Sequence, residues 1–379
     1  LLIITIYINM KLIITKENLI KALKKVIGAV ENKPTIPILN HVLFRKNDSF
    51  CEVVASDLEV QLSSKITLEE DSQFQEDITI PGKKLYDIGN GLPNDAVLEI
   101  EKIEEGKLQI KSRKSKFILS ALDAKTFPLM DIGNDECQNF SIKSTELKEV
   151  VEKTAFAMAQ QDVRYYLNGL FFGLSKSGVL GVATDGHRLA KAEIKSELSI
   201  DQSTNAIIPR KGIVEIIKQI EDENIVMSGV ISKNHLKIMG DKTEAITKLV
   251  DGKFPDYEKV IPADANKKVV IDSKELRDAL SRVSILSNDR FRGVRLNFSN
   301  NELKVSANNP EKEEASDDIK ANYNGEEIEV GFNVNYLLDV LSVVKTKNVQ
   351  IFLKDSNSSA LLMPENDDSS NYVVMPLRL

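Results

Sequence analysis

One helical pattern occurs three times in this chain, at intervals close to 128 residues. Leu19, Leu23 and Val26 form the first set, Leu147, Val151 and Thr154 the second, and Leu276, Leu280 and Val283 the third. The i, i+4, i+7 spacing puts each set on one face of a helix. Each set follows an N-cap residue with an acid in the first turn: Thr15 with Glu17, Ser144 with Glu146, Asp272 with Glu275. A second helix recurs in register with the first. It starts at Pro81-Gly82-Lys83-Lys84-Leu85, at Pro209-Arg210-Lys211-Gly212-Ile213 and at Phe332-Asn333-Val334-Asn335-Tyr336-Leu337. Proline suits a helix start, where its missing N–H would have no partner anyway. A third marker, Ala55-Ser56-Asp57, Ala183-Thr184-Asp185 and Ala307-Asn308-Asn309, closes a β-prone run each time, and Phe127-Pro128 and Phe254-Pro255 close the first two copies.

A period of this length far exceeds that of a solenoid repeat and matches a whole domain. The expected fold class is α+β, in three tandem copies of one domain with two helices plus antiparallel sheets each. The copies span 10–136, 138–256 and 257–379. Alternating runs such as Lys107 to Leu119 and Val349 to Leu353 read as strands. Polar Asn134-Asp135-Glu136 and the breaker Ile261-Pro262-Ala263-Asp264 mark the junctions.

Composition narrows the function classes. The 379 residues include 42% apolar and 28% charged, enough for several real cores. No apolar run is long enough to cross a bilayer as a helix. Two cysteines, Cys51 and Cys137, cannot build a disulfide framework and read as reduced thiols of a cytoplasmic protein. Residues 1–9 are apolar without a basic region ahead of them, so they read as an upstream extension before Met10 rather than a secretory signal. His41, His187 and His235 are scattered, and no nucleophile elbow, Walker loop or dinucleotide fingerprint is present. No catalytic residue, metal site or cofactor is therefore expected. The most site-like string is Thr184-Asp185-Gly186-His187-Arg188, which would serve a hydrolase through Asp185 and His187, but Asp-Gly is also ordinary turn chemistry.

The net charge of −7 argues against nucleic acid only until charge is sorted by element. The six repeated helical segments together carry +5, which leaves −12 for the rest of the chain. Basic helices on an acidic body can present a phosphate-facing surface, because screening over about 8–10 Å lets the two fields act separately.

Longer motifs then point to a family. Gln160-Gln161-Asp162-Val163-Arg164-Tyr165-Tyr166-Leu167-Asn168-Gly169, followed by Ala183-Thr184-Asp185-Gly186-His187-Arg188-Leu189, resembles the bacterial replicative sliding clamps, the β subunits of the DNA polymerase III holoenzyme. So do Lys248 to Tyr257, Phe291 to Leu296 and the terminal Tyr372 to Leu379. The resemblance runs from Met10 to Leu379. It implies a DNA-clamp fold and a head-to-tail homodimer forming a closed ring. Its helices would line a hole around double-stranded DNA, held topologically and without sequence specificity. It also implies a non-catalytic processivity factor. The replicative polymerase, the clamp loader and repair or translesion polymerases would share one pocket through short linear motifs. No membrane partner is implied.

Residue by residue, the resemblance implies DNA-facing roles for Lys33, Gln161, Arg164, Tyr165, Tyr166, Arg210 and Lys211. The partner-peptide pocket would use Leu167, Thr184, Gly186, His187, Arg188, Leu189, Pro255, Lys259, Val260, Phe291, Asn333, Tyr336, Ser359, Val373, Met375, Pro376, Leu377 and Arg378. In it Arg188, His187 and Arg378 would fix polar ends of the peptide. Lys33 and Lys259 stand where arginine is common, and Asn357 where an apolar residue is usual. The dimer interface would pair Lys107, Lys114, Lys116, Phe117 and Leu119 with Ile285, Leu286, Glu311, Glu313, Glu314 and Asp317. Such unlike patches on one chain make a heterologous contact.

Overall fold

The computed structural model describes residues 11–46, 50–133, 137–220 and 225–378, so the leader and Asn134-Asp135-Glu136 lie outside the described residues. The first copy runs β1 (Lys11–Thr15), α1 (Lys16–Val26), β2 (His41–Lys46), β3 (Cys51–Ser56), β4 (Val60–Ile66), β5 (Ile78–Pro81), α2 (Gly82–Gly91), β6 (Val97–Glu104), β7 (Lys107–Ser112) and β8 (Ser115–Ser120). The second runs β9 (Gln138–Lys143), α3 (Ser144–Thr154), β10 (Gly169–Ser175), β11 (Gly178–Thr184), β12 (Arg188–Lys195), the short β13 (Ser199–Ile200), β14 (Thr204–Pro209), α4 (Arg210–Gln219), β15 (Val226–Ile231), β16 (His235–Met239) and β17 (Thr243–Lys248). The third runs β18 (Lys267–Asp272), α5 (Ser273–Val283), β19 (Gly293–Ser299), β20 (Glu302–Asn308), β21 (Glu314–Lys320), β22 (Ile328–Asn333), α6 (Val334–Val343), β23 (Asn348–Leu353), β24 (Ala360–Pro364) and β25 (Ser370–Val374). Apart from β13, the element order is the same in all three copies.

The helices form for the reasons the sequence states. All nine residues of the first pattern are buried, as are Leu85, Ile213 and Leu337 of the second. A Leu or Val removed from water in this way contributes about 1.5–3 kcal/mol. Thr15 accepts from the Asn18 N–H, and Asp272 from those of Lys274 and Glu275, as N-caps do. Ser144 is instead the first residue of α3, and Pro81 and Pro209 end their strands one residue ahead of their helices.

Two compact units result. One combines the chain up to Ser144 with Lys211–Leu249, and the other combines Thr145–Arg210 with the chain from Val250. The first unit holds a sheet in the order β1-β6-β7-β8 and one that runs β9-β15-β16-β17-β4-β3-β2-β5. The second holds β14-β10-β11-β12-β25-β24-β23-β18 and β21-β20-β19-β22. Each long sheet is two four-stranded sheets from successive copies, fused edge to edge. The fusion is antiparallel β17 with β4, where Thr247 faces Val60, and antiparallel β25 with β12, where Val374 faces Arg188. The corresponding edges at the two ends of the series, β8 and β21, pair with no further strand among the described residues.

One expectation needs correction. Lys107 to Leu119 is not one strand but the hairpin of β7 and β8, turning at Arg113 and Lys114 with Arg113 at φ 51°. Alternation holds only over Leu108 and Ile110, and the six polar residues from Lys111 to Lys116 carry the turn. Lys107 therefore lies across from Ser120 at the open end of the hairpin, while Lys114 and Lys116 lie at the turn. Outward-facing Ile118, 55% exposed, is the apolar residue that β8 presents, whereas Phe117 and Leu119 are half-buried.

His41, at the start of β2, is buried with its Nδ1 3.2 Å from the Thr79 hydroxyl, and burial pushes its imidazole down to about 4. The unfolded chain would bind that proton near pH 6.5, so stability is fully present above about pH 6.5 and falls as pH drops toward 4. Wild type should lose roughly 2–3 kcal/mol more than His41→Gln between pH 7 and pH 4.5. Urea unfolding of both at the two pH values measures the difference, and equal losses would mean that His41 titrates normally.

Candidate functional site: an apolar pocket at a sheet junction

The β12–β25 junction carries a cavity of about 200 Å³. Leu167 comes from the short helix before β10, Thr184 and Leu189 from the facing ends of β11 and β12, and Val373 and Met375 from β25 and the tail. Pro255, Tyr257 and Val260 come from the segment that leaves the second copy. Leu189 and Val373 belong to a buried cluster with Val182, Ile207, Phe254 and Leu361. Phe171 closes that cluster from the side, its ring 5.4 Å from Phe254 and 5.8 Å from Tyr257. The cavity is smaller than the 300–1,000 Å³ usual for cofactors and small molecules. Its size and apolar floor suit the side chains of a peptide.

A tight turn shapes the rim. One Asp185 carboxylate oxygen accepts from the backbone N–H groups of His187 (2.9 Å) and Arg188 (3.0 Å), and the Thr184 hydroxyl donates to the Arg188 carbonyl (2.6 Å). Gly186 stands at φ 89°, a conformation that favours glycine, and a Cβ there would also come within 3.0 Å of the Arg164 guanidinium. Arg164 is fixed by Asp162, through Nε at 3.0 Å and Nη2 at 2.9 Å, and that pairing pulls the Asp162 carboxyl down to about 2. With its carboxylate committed to the turn and to Arg188, Asp185 does what turn aspartates do, and His187 points into solvent beside it.

The tail forms the wall. Met375 N–H donates to the His187 carbonyl (2.9 Å) and Leu377 N–H to the Gly331 carbonyl (2.8 Å), so Met375 to Leu377 is held from both sides. On its other side lies a second, more polar depression of about 510 Å³, which includes Arg295, Glu329, Asn357 and Ser359. Pro376, Leu377 and Arg378 line this second depression, and Met375 lines both.

Of the expected pocket residues, His187, Lys259, Phe291, Asn333 and Tyr336 line neither depression. Lys259 reaches out to Asp256 (2.6 Å). Phe291 is 56% exposed with its ring under Arg290. Asn333 caps α6 by accepting from the Asn335 N–H. Tyr336 stacks on Arg188, 4.5 Å away. Arg164 and Tyr166, expected to face DNA, line the first cavity, and Tyr257 joins them without having been anticipated. The signal for Tyr257 was available, since an aromatic residue follows the Phe254-Pro255 marker.

The equivalent surface at the β4–β17 junction is built differently. Gln61 stands where Leu189 does, facing Ile246 as Leu189 faces Val373. Its side-chain carbonyl accepts from the Met130 N–H (2.8 Å) and ties the outgoing segment across the strands.

The charge excess sits on α1, α2 and α4, but part of it serves the fold. Lys16 reaches the Asn90 and Leu92 carbonyls at the end of α2, and Lys25 those of Lys218 and Gln219 at the end of α4. These are favourable places for a cation. Lys211 pairs with buried Asp57, and Arg210 reaches the Met158 carbonyl (3.4 Å). Lys33, Gln161 and Tyr165 are exposed. Among the expected interface residues, Ile285 is 77% exposed, Glu311, Glu313 and Glu314 are exposed, and Leu286 is half-buried. Asp317 is engaged by Arg282 of α5.

Comparison with known proteins agrees with this layout. Family models of the DNA polymerase III β subunit match in order: the N-terminal domain at residues 10–131, the central domain at 141–256 and the C-terminal domain at 258–378. The β sliding clamp of Pseudomonas aeruginosa is 44% identical over 366 residues, covering 97% of this chain and 99% of that protein. That of Vibrio cholerae is 41% identical over 373 residues, covering 98% and 100%. A solved sliding clamp from Pseudomonas aeruginosa bound to griselimycin superposes with a TM-score of 0.92 at 44% identity, covering 98% of this chain and all of that one.

The Asp57–Lys211 pair yields a test. Removing Lys211 leaves a buried carboxylate without its partner, a loss moderated by the half-exposed lysine. Lys211→Met should therefore lower stability by about 1–2 kcal/mol, and Asp57→Asn in the same chain should restore part of it. Thermal unfolding of the single and double variants decides, and a neutral Lys211→Met would mean that Asp57 is satisfied by the Glu59 and Val60 N–H groups that donate to its Oδ1 (2.9 and 2.7 Å).

Proposed function

The chain belongs to the DNA polymerase III β subunit family, and we propose that two copies, joined head to tail, close a ring around duplex DNA. The chain is a DNA sliding clamp, a non-catalytic processivity factor of replication, built from three tandem clamp domains. The proposed copy boundaries are 10–136, 138–256 and 257–379. The setting is the cytoplasm.

The observation that carries the ring is the repeated junction. Twice within the chain, a strand equivalent to β8 pairs with a strand equivalent to β21. The leftover β8 and β21 are complementary in the same sense, and a second copy supplies the missing partner to each. Such a heterologous contact closes when the rotations add up. Carrying the register over places Phe117 opposite Ala315 of the partner subunit and Lys116 opposite Ser316 of the partner subunit. Lys116 then lies diagonally between two acids, Glu314 of the partner subunit and Asp318 of the partner subunit, a favourable cross-strand arrangement. Ile118 and Ile285 supply apolar area at the joint, and the charges orient it.

Inside the ring, exposed Lys33, Gln161 and Tyr165 are the foremost DNA contacts. Arg210, bonded among the described residues only to the Met158 carbonyl, adds its charge to the field, and Arg164 and Lys211, each paired with a carboxylate, add less. The hold on DNA is topological, so each phosphate contact can be weak and sliding cheap. The junction cavity, with the polar depression beyond Met375, takes short linear motifs of the polymerase, clamp loader and other partners in turn. The related clamp bound to griselimycin supports a ligand-binding site on this fold.

The decisive experiment loads the protein onto nicked circular DNA with clamp loader and ATP, then gel-filters at high salt before and after linearisation. Retention on the circle and loss from the line is the expected result, and equal loss from both would exclude encirclement. The register has its own test. Phe117→Cys with Ala315→Cys should give disulfide-linked dimers on oxidation, whereas Ser115→Cys with Ala315→Cys should not. Deleting 375–379 should abolish peptide binding while sedimentation still reports a dimer, and unchanged peptide affinity would refute the pocket.

A further inference from the structure

Arg188 lines the junction cavity, yet each nitrogen of its guanidinium is already bonded inside the protein, with three of the five N–H donors used. Nε donates to Asp185 Oδ2 (3.1 Å), Nη1 to Asp339 Oδ2 (2.5 Å) and Nη2 to the Phe156 carbonyl (2.7 Å). The rings of Phe156 and Tyr336 lie 5.4 and 4.5 Å from its central carbon. Only 11% of the side chain is exposed. The three bonds and the two flanking rings hold the guanidinium in one plane and one position.

The contacts of Arg188 form a connected path. The other Asp185 oxygen holds the backbone of His187 and Arg188, and the His187 carbonyl holds Met375. Asp339 and Tyr336 belong to α6, which lines neither depression. One planar group thus ties α6 and the segment after α3 to the turn that carries Gly186 and Leu189, and through that turn to the tail wall.

We propose that Arg188 is a positioning residue, which preforms the pocket by anchoring the 185–189 turn to α6 and does not itself read the ligand. The inference rests on the pocket being the peptide site. Lysine cannot replace it, because three donors in a plane between two rings require the guanidinium fork. Preforming a site lowers the ordering cost of binding, so the effect belongs mainly to the dissociation rate.

The test uses two fluorescent peptides of leucine and phenylalanine, identical except at the C-terminus. One has both termini blocked and carries no charge, and the other has a free carboxylate. Wild type should bind both. Arg188→Lys should weaken both about tenfold, with their affinity ratio unchanged. Asp339→Asn, outside the cavity and half-exposed, should weaken both several-fold. The double variant should be no worse than Arg188→Lys, because both changes break one link; general destabilisation would not produce that coupling. Circular dichroism at the assay temperature confirms that each variant is folded. Loss confined to the carboxylate peptide would make Arg188 a ligand reader and overturn the proposal, as would an unchanged affinity in Asp339→Asn. Failure of wild type to bind either peptide would instead remove the pocket reading, and this inference with it.

Discussion

The antiparallel pairing of β4 with β17, and of β12 with β25, is the interaction on which the rest of this protein depends. A sheet edge presents a row of unpaired N–H and C=O groups, and a fold must cover, charge or pair it. Here each copy offers one edge of each kind, and successive copies consume them in order. The pairing builds the two long sheets, brings the 185–189 turn beside the tail, and thereby creates the pocket. It also leaves one edge at each end of the series, the feature from which the proposed ring follows.

Charge works at shorter range. The lysines of α1 illustrate two uses of one residue type on one helix: Lys16 and Lys25 terminate neighbouring helices, while Lys21 and Lys24 are exposed on its surface. A count of helix charges cannot separate the two, because a cation at a helix C-terminus and a cation on an exposed helix face look alike in a sequence. The same holds for Arg164 and Lys211, whose carboxylate partners lie in one case two residues away and in the other on a different copy.

Much of the architecture was legible beforehand because it is periodic. Leu19, Leu147 and Leu276 announce their helices by spacing, and the Ala-Ser-Asp type of marker announces the strand ends. The hairpin at Arg113 was missed although the polar run Lys111 to Lys116 interrupts the alternation there, because neither Gly nor Pro marks the turn. In the site, the apolar floor of Leu167, Leu189 and Val373 could be anticipated. The burial of Arg188 could not, because Asp339 and Phe156 are far from it in sequence and only the tertiary fold brings them to it. Phe291 and Lys259 line neither depression, and both are exposed in sequence contexts that their residue types alone do not distinguish.

One register position, compared across the three copies, carries a lesson about descent. Gln61, Leu189 and Glu314 occupy the same place relative to their facing strands. Gln61 seals a junction, Leu189 floors a cavity, and Glu314 stands on an unpaired edge. Triplication of an ancestral unit would have freed each copy of this residue from the duties of the other two, so that mutation could specialise them separately. A sealed junction, a cavity and an open sheet edge could then arise from one ancestral contact without any new fold.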